Sequence, residues 1–220
     1  MDNFVYDPPQ SPYLKIIYQD DDVLVLDKPF GLLAVEGRLA IHKDSLQLRV
    51  QCAFPTASVV HRLDMSTSGI MLMALNKESH RNISRQFQER QISKRYLARV
   101  FGKPSTQTGS VDLPLIGDWL NRPKQKVDFE AGKPSLTNWK ILSSDAESSL
   151  LELEPVTGRS HQLRVHMQSI GHPILGDKFY AHEEAFKLSD RLDLHAAYIK
   201  FTHPSTNETM EFSINIQFGH

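Results

Sequence analysis

The apolar residues of this chain gather in short runs bounded by turn residues, and this pattern constrains the fold more than any other feature. Residues 23–26 (Val-Leu-Val-Leu) lie between an aspartate triplet and Pro29, and residues 70–75 follow a polar loop that ends at Gly69. Such runs between turn signals are typical of buried strands. The longest run is far shorter than the roughly 20 apolar residues that cross a bilayer. We therefore predict a globular fold built on strands and expect no membrane partner.

The other runs predict more strands than helices, without regular alternation between the two. The predicted helices cover residues 45–54, 77–89 and 160–168. The further predicted strands cover residues 32–35, 95–101, 139–142, 149–153, 194–201 and 211–216. Residues 103–135 are rich in Gly and Pro and predict a hairpin with long loops. This order of elements favours an α+β fold, a single domain on a largely antiparallel mixed sheet flanked by helices and loops.

Local signals mark the ends of the chain and two helix starts. The proline-rich residues 1–15 are interpreted as an extended arm that lies on a domain of residues 16–220. Ser45 and Asn76 are predicted N-caps. In the helix that follows Asn76, Ile83 and Phe87 are four residues apart and are expected to face the core. The same spacing places the basic residues of that helix in one stripe, formed by Lys77, Arg81 and Arg85.

Charge and cysteine content exclude several classes of protein. Lys and Arg number 25 and Asp and Glu 26, so the chain has no globally basic surface for nucleic acid. Positive charge is local: residues 77–103 hold eight Lys or Arg and two acids. This clustering suits either an ordinary solvated surface or a groove for phosphates. The single cysteine, Cys52, excludes an internal disulfide, and with no signal peptide pattern we expect a cytoplasmic protein.

Asp64 lies in a polar loop directly before the strongest predicted strand. Arg62 precedes it by two residues, and a turn of Ser66, Thr67, Ser68 and Gly69 follows it. In an extended segment, residues two apart point the same way, so the guanidinium can lie beside the carboxylate and favour its ionised form. An ionised carboxylate is a candidate nucleophile at neutral pH. From this loop alone, a turn residue in a structural salt bridge is the simpler interpretation, and it stays open.

A second polar cluster covers residues 157–166. If residues 160–168 are helical, His161 and Arg164 share one face, and the preceding Thr-Gly turn suits an anion at the helix start. A metal site of His161, His166 and His172 is the rival interpretation. These histidines lack a His-Glu-x-x-His pattern and a nearby cysteine ligand, so we expect no metal here.

Six segments of the sequence resemble motifs of the RluA family of pseudouridine synthases. Together they extend from about residue 16 to about residue 204. The segments are residues 28–32 (Lys-Pro-Phe-Gly-Leu), 61–69 (His-Arg-Leu-Asp-Met-Ser-Thr-Ser-Gly), 94–102 (Lys-Arg-Tyr-Leu-Ala-Arg-Val-Phe-Gly), 158–166 (Gly-Arg-Ser-His-Gln-Leu-Arg-Val-His), 171–177 (Gly-His-Pro-Ile-Leu-Gly-Asp) and 194–196 (Leu-His-Ala). Without an S4-type RNA-binding domain, and with its residues 18–21 and 121–126, the chain is more similar to the member that gave the family its name than to longer members.

The resemblance implies a fold, a reaction and partners. It implies the pseudouridine synthase fold with a central RNA-binding cleft. The family breaks the N-glycosidic bond of a uridine in folded RNA, turns the base, and joins a base carbon to the ribose. The expected partners are 23S ribosomal RNA and the anticodon stem-loop of transfer RNA, with no DNA. The resemblance also implies a monomer and no cofactor.

The resemblance assigns roles to individual residues. Asp64 would be the catalytic carboxylate, Arg164 would pair with it, and Tyr96 would stack on the target base. Leu194 would pack against that base, and Arg62 is a candidate to fill the space that a flipped base leaves. Further residues are expected to contact the RNA substrate: His61, Thr67, Arg159 and His161, with Lys124, Lys126 and the stripe of Lys77, Arg81 and Arg85 as candidates for phosphate contacts.

Two other functions are alternatives to this one. A hydrolase that cleaves an N-glycosidic bond also uses carboxylates, but usually needs a pair, and only Asp64 has a persuasive setting. An RNA-binding protein or chaperone without catalysis would have no use for a charge pair of Asp64 with Arg164. The mass of the RNA distinguishes a hydrolase from an isomerase, because isomerisation leaves the mass unchanged whereas hydrolysis frees uracil.

Overall fold

The computed structural model describes residues 5–219, which form two compact units. Unit 1 contains the residues up to Ser93 together with Ala196–Ile214, and unit 2 contains Lys94–His195 together with the residues from Asn215 on. The first four residues of the predicted arm lie outside the described residues. No helix within residues 5–219 is long and apolar enough to cross a membrane.

Twelve strands and four α-helices are found among the described residues. In chain order they are β1 (Ile16–Gln19), β2 (Val23–Lys28), α1 (Leu46–Ala53), β3 (Ser58–Val59), β4 (Ser68–Ala74), α2 (Lys77–Gln88), β5 (Ser93–Phe101), β6 (Thr108–Asp112), β7 (Leu115–Gly117), β8 (Gln125–Val127), β9 (Leu136–Ser144), β10 (Ser148–Pro155), α3 (Gln162–Ser169), α4 (Glu183–Lys187), β11 (Leu194–Thr202) and β12 (Thr209–Ser213).

The sheet of unit 1 is centred on β4. Its strand order is β1-β2-β4-β11, with β3 also paired with β4 and β12 with β11. Every residue of β4 is buried, which explains why its sequence is a continuous apolar run and does not alternate. The core on one side combines β2 and β4 with Ile83 of α2, and Phe87 packs against it half-buried. The predicted inward face of this helix is confirmed.

Both predicted N-caps are confirmed. The Ser45 hydroxyl accepts a hydrogen bond from the amide of Leu48, and the Asn76 side chain accepts one from the amide of Ser79. Each bond satisfies one of the free amides at a helix start, which places the start of α1 and of α2.

The predicted strand at residues 32–35 is wrong. The chain turns at Gly31, with a φ of 83°, and then runs as an irregular segment. Its carbonyls are used elsewhere: the amide of Leu46 donates to Leu33 and that of Gln47 to Ala34. Because these carbonyls accept hydrogen bonds from the first residues of α1, they do not pair in a sheet.

Unit 2 is built on the strand order β5-β10-β9-β6, with β7 and β8 as a separate pair. The predicted pair at residues 139–142 and 149–153 is confirmed, as is the strand at residues 95–101. In unit 1 the β1–β2, β2–β4, β3–β4 and β11–β12 pairings are antiparallel, and in unit 2 the β5–β10, β9–β10, β6–β9 and β7–β8 pairings are antiparallel. The predicted α+β class on a largely antiparallel sheet is therefore confirmed.

One predicted helix boundary is wrong, and several short elements, among them β1, β3, β6 and α4, were not predicted. Helix α3 begins at Gln162, because His161 adopts a left-handed conformation with a φ of 53° and stands before the first turn. His161 and Arg164 therefore do not share a helical face. The elements β1, β3 and α4 are two to five residues long, too short for a periodic signal.

Candidate active site

The loop that carries Asp64 in unit 1 is held by a buried lysine. Lys28 is fully buried at the end of β2, and its ammonium donates to the carbonyls of Pro29 (2.9 Å), Leu32 (2.7 Å) and Met65 (3.2 Å). Met65 directly follows Asp64, and its carbonyl also accepts from the amide of Gly31 at 2.9 Å. Lys28 therefore ties the backbone beside Asp64 to the turn that follows β2.

The loop also has bonds of its own. The amide of Thr67 donates to the carbonyl of Asp64 at 3.0 Å, closing a tight turn through Met65 and Ser66. Thr67 is buried, Asp64 is half-buried and Arg62 is exposed. At Gly69 a Cβ would lie 2.3 Å from the carbonyl oxygen of Ala196 in β11, so only glycine allows this approach of the two strands.

His61 fixes the start of the same loop. Its Nε2 accepts a hydrogen bond from the amide of Leu72 at 2.9 Å, which places the proton of the neutral ring on Nδ1. Its ring lies against Phe87 of α2 at 4.8 Å between centroids. These contacts give His61 a positioning role inside unit 1. Its predicted contact with substrate stays a prediction.

Arg164 in unit 2 is buried and bound by a carboxylate that sequence reasoning did not single out. Its Nε donates to Asp177 at 2.7 Å and its Nη2 donates to the other carboxylate oxygen at 2.6 Å. Both side chains are almost fully buried, and the rings of Phe179 and Tyr180 lie about 5 Å from the guanidinium carbon. This bidentate pair of hydrogen bonds fixes the plane of the guanidinium.

Asp177 is fixed in turn by the main chain. Its Oδ1 accepts from the amides of Phe179 at 2.9 Å and Tyr180 at 3.3 Å. The signal for this residue was present in the sequence, since Asp177 ends one of the motifs quoted above. The motif contains Asp177 but does not indicate that its partner is Arg164, which lies 13 positions earlier.

Tyr96 and Leu194 belong to one apolar cluster of unit 2. Leu194 is buried in it, and Tyr96 packs against it half-buried from β5. In the ladder with β10, Tyr96 is opposite Leu153. The cluster gives the aromatic ring a firm backing, and the predicted contacts of both residues with a target base stay predictions.

A tyrosine hydroxyl connects the β7–β8 pair to the start of α3. The Tyr180 hydroxyl accepts from the amide of Gln125 at 2.8 Å and lies 2.7 Å from Nδ1 of His161. The hydroxyl is therefore hydrogen-bonded to both the main chain of β8 and the His161 ring. Tyr180 therefore anchors the segment that carries Lys124 and Lys126, a role that sequence reasoning missed.

The remaining predicted contact residues of unit 2 lie near the same helix. Arg159 is exposed and its Nε donates to the carbonyl of Pro134, while Lys126 lies 3.5 Å from the carboxylate of Asp128. The ammonium of Lys94 lies beside Gly158, since a Cβ added there would be 3.8 Å away. Burial lowers the pKa of Lys94 below its usual value.

Buried polar bonds hold the inner face of α3. The Gln162 amide donates to Leu136 and Thr137 and accepts from Thr157 and the amide of Arg159. His166 is fully buried; its Nε2 donates to the carbonyl of Leu113, and its Nδ1 accepts from the hydroxyl of Thr137. Burial lowers the pKa of His166, although its hydrogen bond to Leu113 acts against the shift.

The candidate residues are divided between the units. Asp64, Arg62, His61 and Thr67 belong to unit 1, whereas the candidates of unit 2 are Tyr96, Lys124, Lys126, Arg159, His161, Arg164 and Leu194. The predicted pairing of Asp64 with Arg164 stays a prediction. Within residues 5–219, no group of three or more His, Cys, Asp or Glu side chains is arranged to hold a metal ion.

Comparison with known proteins assigns the chain to a family. The family model described as RNA pseudouridylate synthase matches residues 22–169. The dual-specificity RNA pseudouridine synthase RluA of Salmonella typhimurium is 53% identical over 214 residues, which cover 97% of this chain and 98% of that protein. The RluA of Escherichia coli gives the same identity and coverage. This chain belongs to the RNA pseudouridylate synthase family.

Solved structures of the family share the fold. Human RNA pseudouridylate synthase domain containing 1 superposes with a TM-score of 0.79 at 31% identity, covering 96% of this chain and 86% of that one. Human RNA pseudouridylate synthase domain containing 4 gives a TM-score of 0.74 at 27% identity, covering 92% and 88%. The predicted family and fold are confirmed, and the chain is an isomerase of uridine in RNA. The alternatives of a hydrolase and of a non-catalytic RNA-binding protein are set aside.

Proposed function

We propose that this enzyme isomerises a uridine in 23S ribosomal RNA and a uridine in the anticodon stem-loop of transfer RNA. The relatives that match almost the whole chain are named dual-specificity RNA enzymes. The 53% identity extends over 214 residues, so the surfaces that choose the RNA are compared together with the catalytic segments. Single-stranded loops suit the task, because their bases can be splayed out at low cost.

Asp64 is the catalytic carboxylate in this proposal. The observation that carries it is the restraint of its loop: a buried ammonium and two main-chain amides bind the carbonyls of Asp64 and Met65. A reacting group needs such restraint, because small errors of position cost large factors in rate. In the reaction the N1–C1′ bond of uridine breaks and a C5–C1′ bond forms, while C5 loses its proton and N1 gains one.

Tyr96 and Arg164 complete the proposed catalytic set. Tyr96 stacks on the extruded base and assists the proton transfer at C5, backed by the apolar cluster that includes Leu194. Arg164 pairs with the Asp64 carboxylate and orients it, with Asp177 fixing the guanidinium plane. Arg62 enters the space that the extruded base leaves. His61, Thr67, Arg159, His161, Lys124 and Lys126 contribute to the RNA contact.

Sites of modification test this function directly. Carbodiimide-modified pseudouridine stops reverse transcriptase, so sequencing the stops compares RNA from cells with and without this chain. In cells without it, one stop in 23S ribosomal RNA and one in the anticodon loops of a set of transfer RNAs are expected to be lost. With purified enzyme and a transfer RNA transcript, the RNA mass should stay constant while the stop appears. Loss of only the ribosomal stop or only the transfer RNA stop would contradict dual specificity, and release of free uracil would contradict isomerisation.

The organisation of the chain is part of the proposal. A monomer acts in the cytoplasm, where both RNA classes are found, with residues 16–220 as the catalytic domain and residues 1–15 as an arm. The described part of the arm has no helix or strand and contacts the rest of unit 1, since the Tyr6 hydroxyl donates to the carbonyl of Asp44 and the Arg49 guanidinium donates to the carbonyls of Pro9 and Tyr13. Gel filtration with light scattering measures the oligomeric state.

A further inference from the structure

A groove in unit 1 separates helix α2 from the segment that follows α1. Its volume is about 880 Å³. One wall is α2, and the other is formed by Gln51 and residues 55–58. The basic stripe of α2, defined as Lys77, Arg81 and Arg85, lines this groove along its length, and all three side chains are exposed.

Helix α2 holds the stripe toward the groove because its other face is fixed. Ile83 is fully buried in the core of unit 1. Gln86 exchanges two hydrogen bonds with the main chain of Thr202 in β11, at 2.7 and 2.9 Å. These contacts fix the rotation of the helix, so the stripe faces the groove.

The stripe has no carboxylate partners among residues 5–219. Other exposed lysines of the chain do: Lys43 pairs with Glu36, and Lys140 pairs with Glu152, both at 2.9 Å. The described residues that line the groove include no Asp or Glu. Three neighbouring cations that repel one another and lack internal partners are left for an external anion.

Apart from Pro55 and Ala57, the other groove residues are polar. Five of them already donate to groups within unit 1, namely Gln51, Thr56, Ser58, Asn76 and His80. Ser84 and Gln88 of α2 lie beside the stripe as further polar groups. The ring of His80 spans toward the second wall, where its Nε2 donates to the carbonyl of Val59 at 3.2 Å. Hydroxyl and amide groups beside a row of cations are typical of contacts to a nucleic-acid backbone.

The length of the stripe favours a polymer over a single small anion. From Lys77 to Arg85 the helix rises by about 12 Å. Along one nucleic-acid strand this distance holds roughly three phosphates. An open groove with one cation per turn suits a linear polyanion, whereas a single phosphate would need converging donors.

We propose that this groove binds the phosphodiester backbone of the substrate RNA at about three successive phosphates. The proposal rests on the proposed function, because the RNA is the substrate of that activity. It adds a docking surface to the loop that carries Asp64, and its contribution is to affinity that depends on salt and not on base sequence.

The test compares two triple variants that each remove three positive charges. The first is Lys77→Gln, Arg81→Gln and Arg85→Gln, which retains good helix formers in α2. The matched control is Lys43→Gln, Lys140→Gln and Lys187→Gln, whose lysines are paired with carboxylates. The dissociation constant for a transfer RNA transcript is measured from 50 to 200 mM salt, and urea unfolding shows that both variants are folded.

We expect the stripe variant to reduce the slope of log K against log salt by about 2 to 3 and to weaken binding at 50 mM salt at least about tenfold. The control should change the slope by much less. A charge-retaining variant, Lys77→Arg with Arg81→Lys and Arg85→Lys, should keep the wild-type slope. A stripe variant whose slope equals that of the control overturns the proposal.

Two further outcomes separate the causes of failure. If wild-type protein forms no pseudouridine in the same RNA while the slope still depends on the stripe, the proposed function fails and the groove stands. If polyglutamate binds with the same dependence on the stripe while the RNA slope is unchanged, the groove belongs to an acidic protein and the RNA assignment is wrong.

Discussion

Units 1 and 2 hold their candidate catalytic residues by different means. In unit 1, Asp64 lies on an irregular loop, and Lys28 holds the backbone beside it through three carbonyls. In unit 2, Arg164 lies on a helix whose backbone is already satisfied, and Asp177 holds the side chain itself. A loop needs an outside donor to fix its main chain, whereas a residue on a helix needs only its side chain fixed. Lys28 and Asp177 therefore both act as positioning residues, each through the candidate catalytic residue that it holds.

The largest effect is expected at the residue on the loop. Asp64→Asn keeps the size of the side chain and removes its charge, so single-turnover pseudouridine formation should fall by about 10⁴-fold or more. Binding of the RNA should persist. The matched control is Asp190→Asn, an exposed position in unit 2. Turnover of the Asp64 variant near the wild-type rate would remove the residue from the catalytic role.

The next effect tests the carboxylate in unit 2. Asp177→Asn keeps an oxygen for the amides of Phe179 and Tyr180 but removes the carboxylate charge that binds Arg164. Breaking a buried ion pair is expected to lower the free energy of unfolding by about 3 to 5 kcal/mol. Among molecules that remain folded, the single-turnover rate should fall by about 10²-fold, since the guanidinium is no longer held in plane.

Separate measurements distinguish stability from positioning at Asp177. Urea unfolding gives the stability, and rates are taken at a temperature at which circular dichroism shows the variant folded. Asp177→Glu retains the charge and should recover part of the stability with less of the rate. A folded Asp177→Asn protein with the wild-type rate would show that Asp177 serves stability alone.

A smaller effect is expected for the lysine in unit 1. Lys28→Met has a side chain of similar length without the ammonium, so the carbonyls of Leu32 and Met65 lose a buried donor. We expect unfolding to become easier by about 1 to 3 kcal/mol and the single-turnover rate to fall about tenfold. The control is Lys15→Met, which removes an exposed lysine. A rate equal to that of this control would argue against a positioning role.

The basic segment of unit 2 is expected to matter less for RNA affinity than the stripe of unit 1. Lys126 lies 3.5 Å from Asp128, so part of its charge is already compensated. Lys124→Ala with Lys126→Ala should weaken RNA binding and reduce the salt slope by about 1. Filter binding between 50 and 200 mM salt measures it, and an unchanged slope would remove both lysines from phosphate contact.

The smallest effect concerns the pH dependence of stability. Burial lowers the pKa of His166 in the folded protein below its usual value of 6.5. Between the two pKa values the unfolded state binds more protons, so the free energy of unfolding should decrease as the pH falls below about 6.5, by at most about 1.4 kcal/mol per pH unit. Urea unfolding at pH 7.5 and 5.5 should show this loss in wild type and less of it in His166→Gln. If wild type and His166→Gln lose the same free energy of unfolding between pH 7.5 and 5.5, groups other than His166 cause the pH dependence.

Local sequence by itself determined the starts of α1 and α2, most strands and the family motifs. The caps at Ser45 and Asn76 join groups only three residues apart, so a short window of sequence contains both partners. The strand at residues 70–75 was readable because all its residues are apolar and turn residues bound it. Segment 32–35 was misjudged because its carbonyls bind the start of α1 more than ten residues later.

Only the tertiary structure decided what holds the candidate residues. Lys28 and Met65 are 37 positions apart, Arg164 and Asp177 are 13 apart, and Tyr180 reaches Gln125 across 55. No local period or cap encodes such bonds, because they form only after strands and helices have packed and excluded water from both partners. Lys28, Met65, Arg164 and Asp177 lie within the quoted motifs, whereas Tyr180 and Gln125 do not, and in all three cases the fold determines which partners meet.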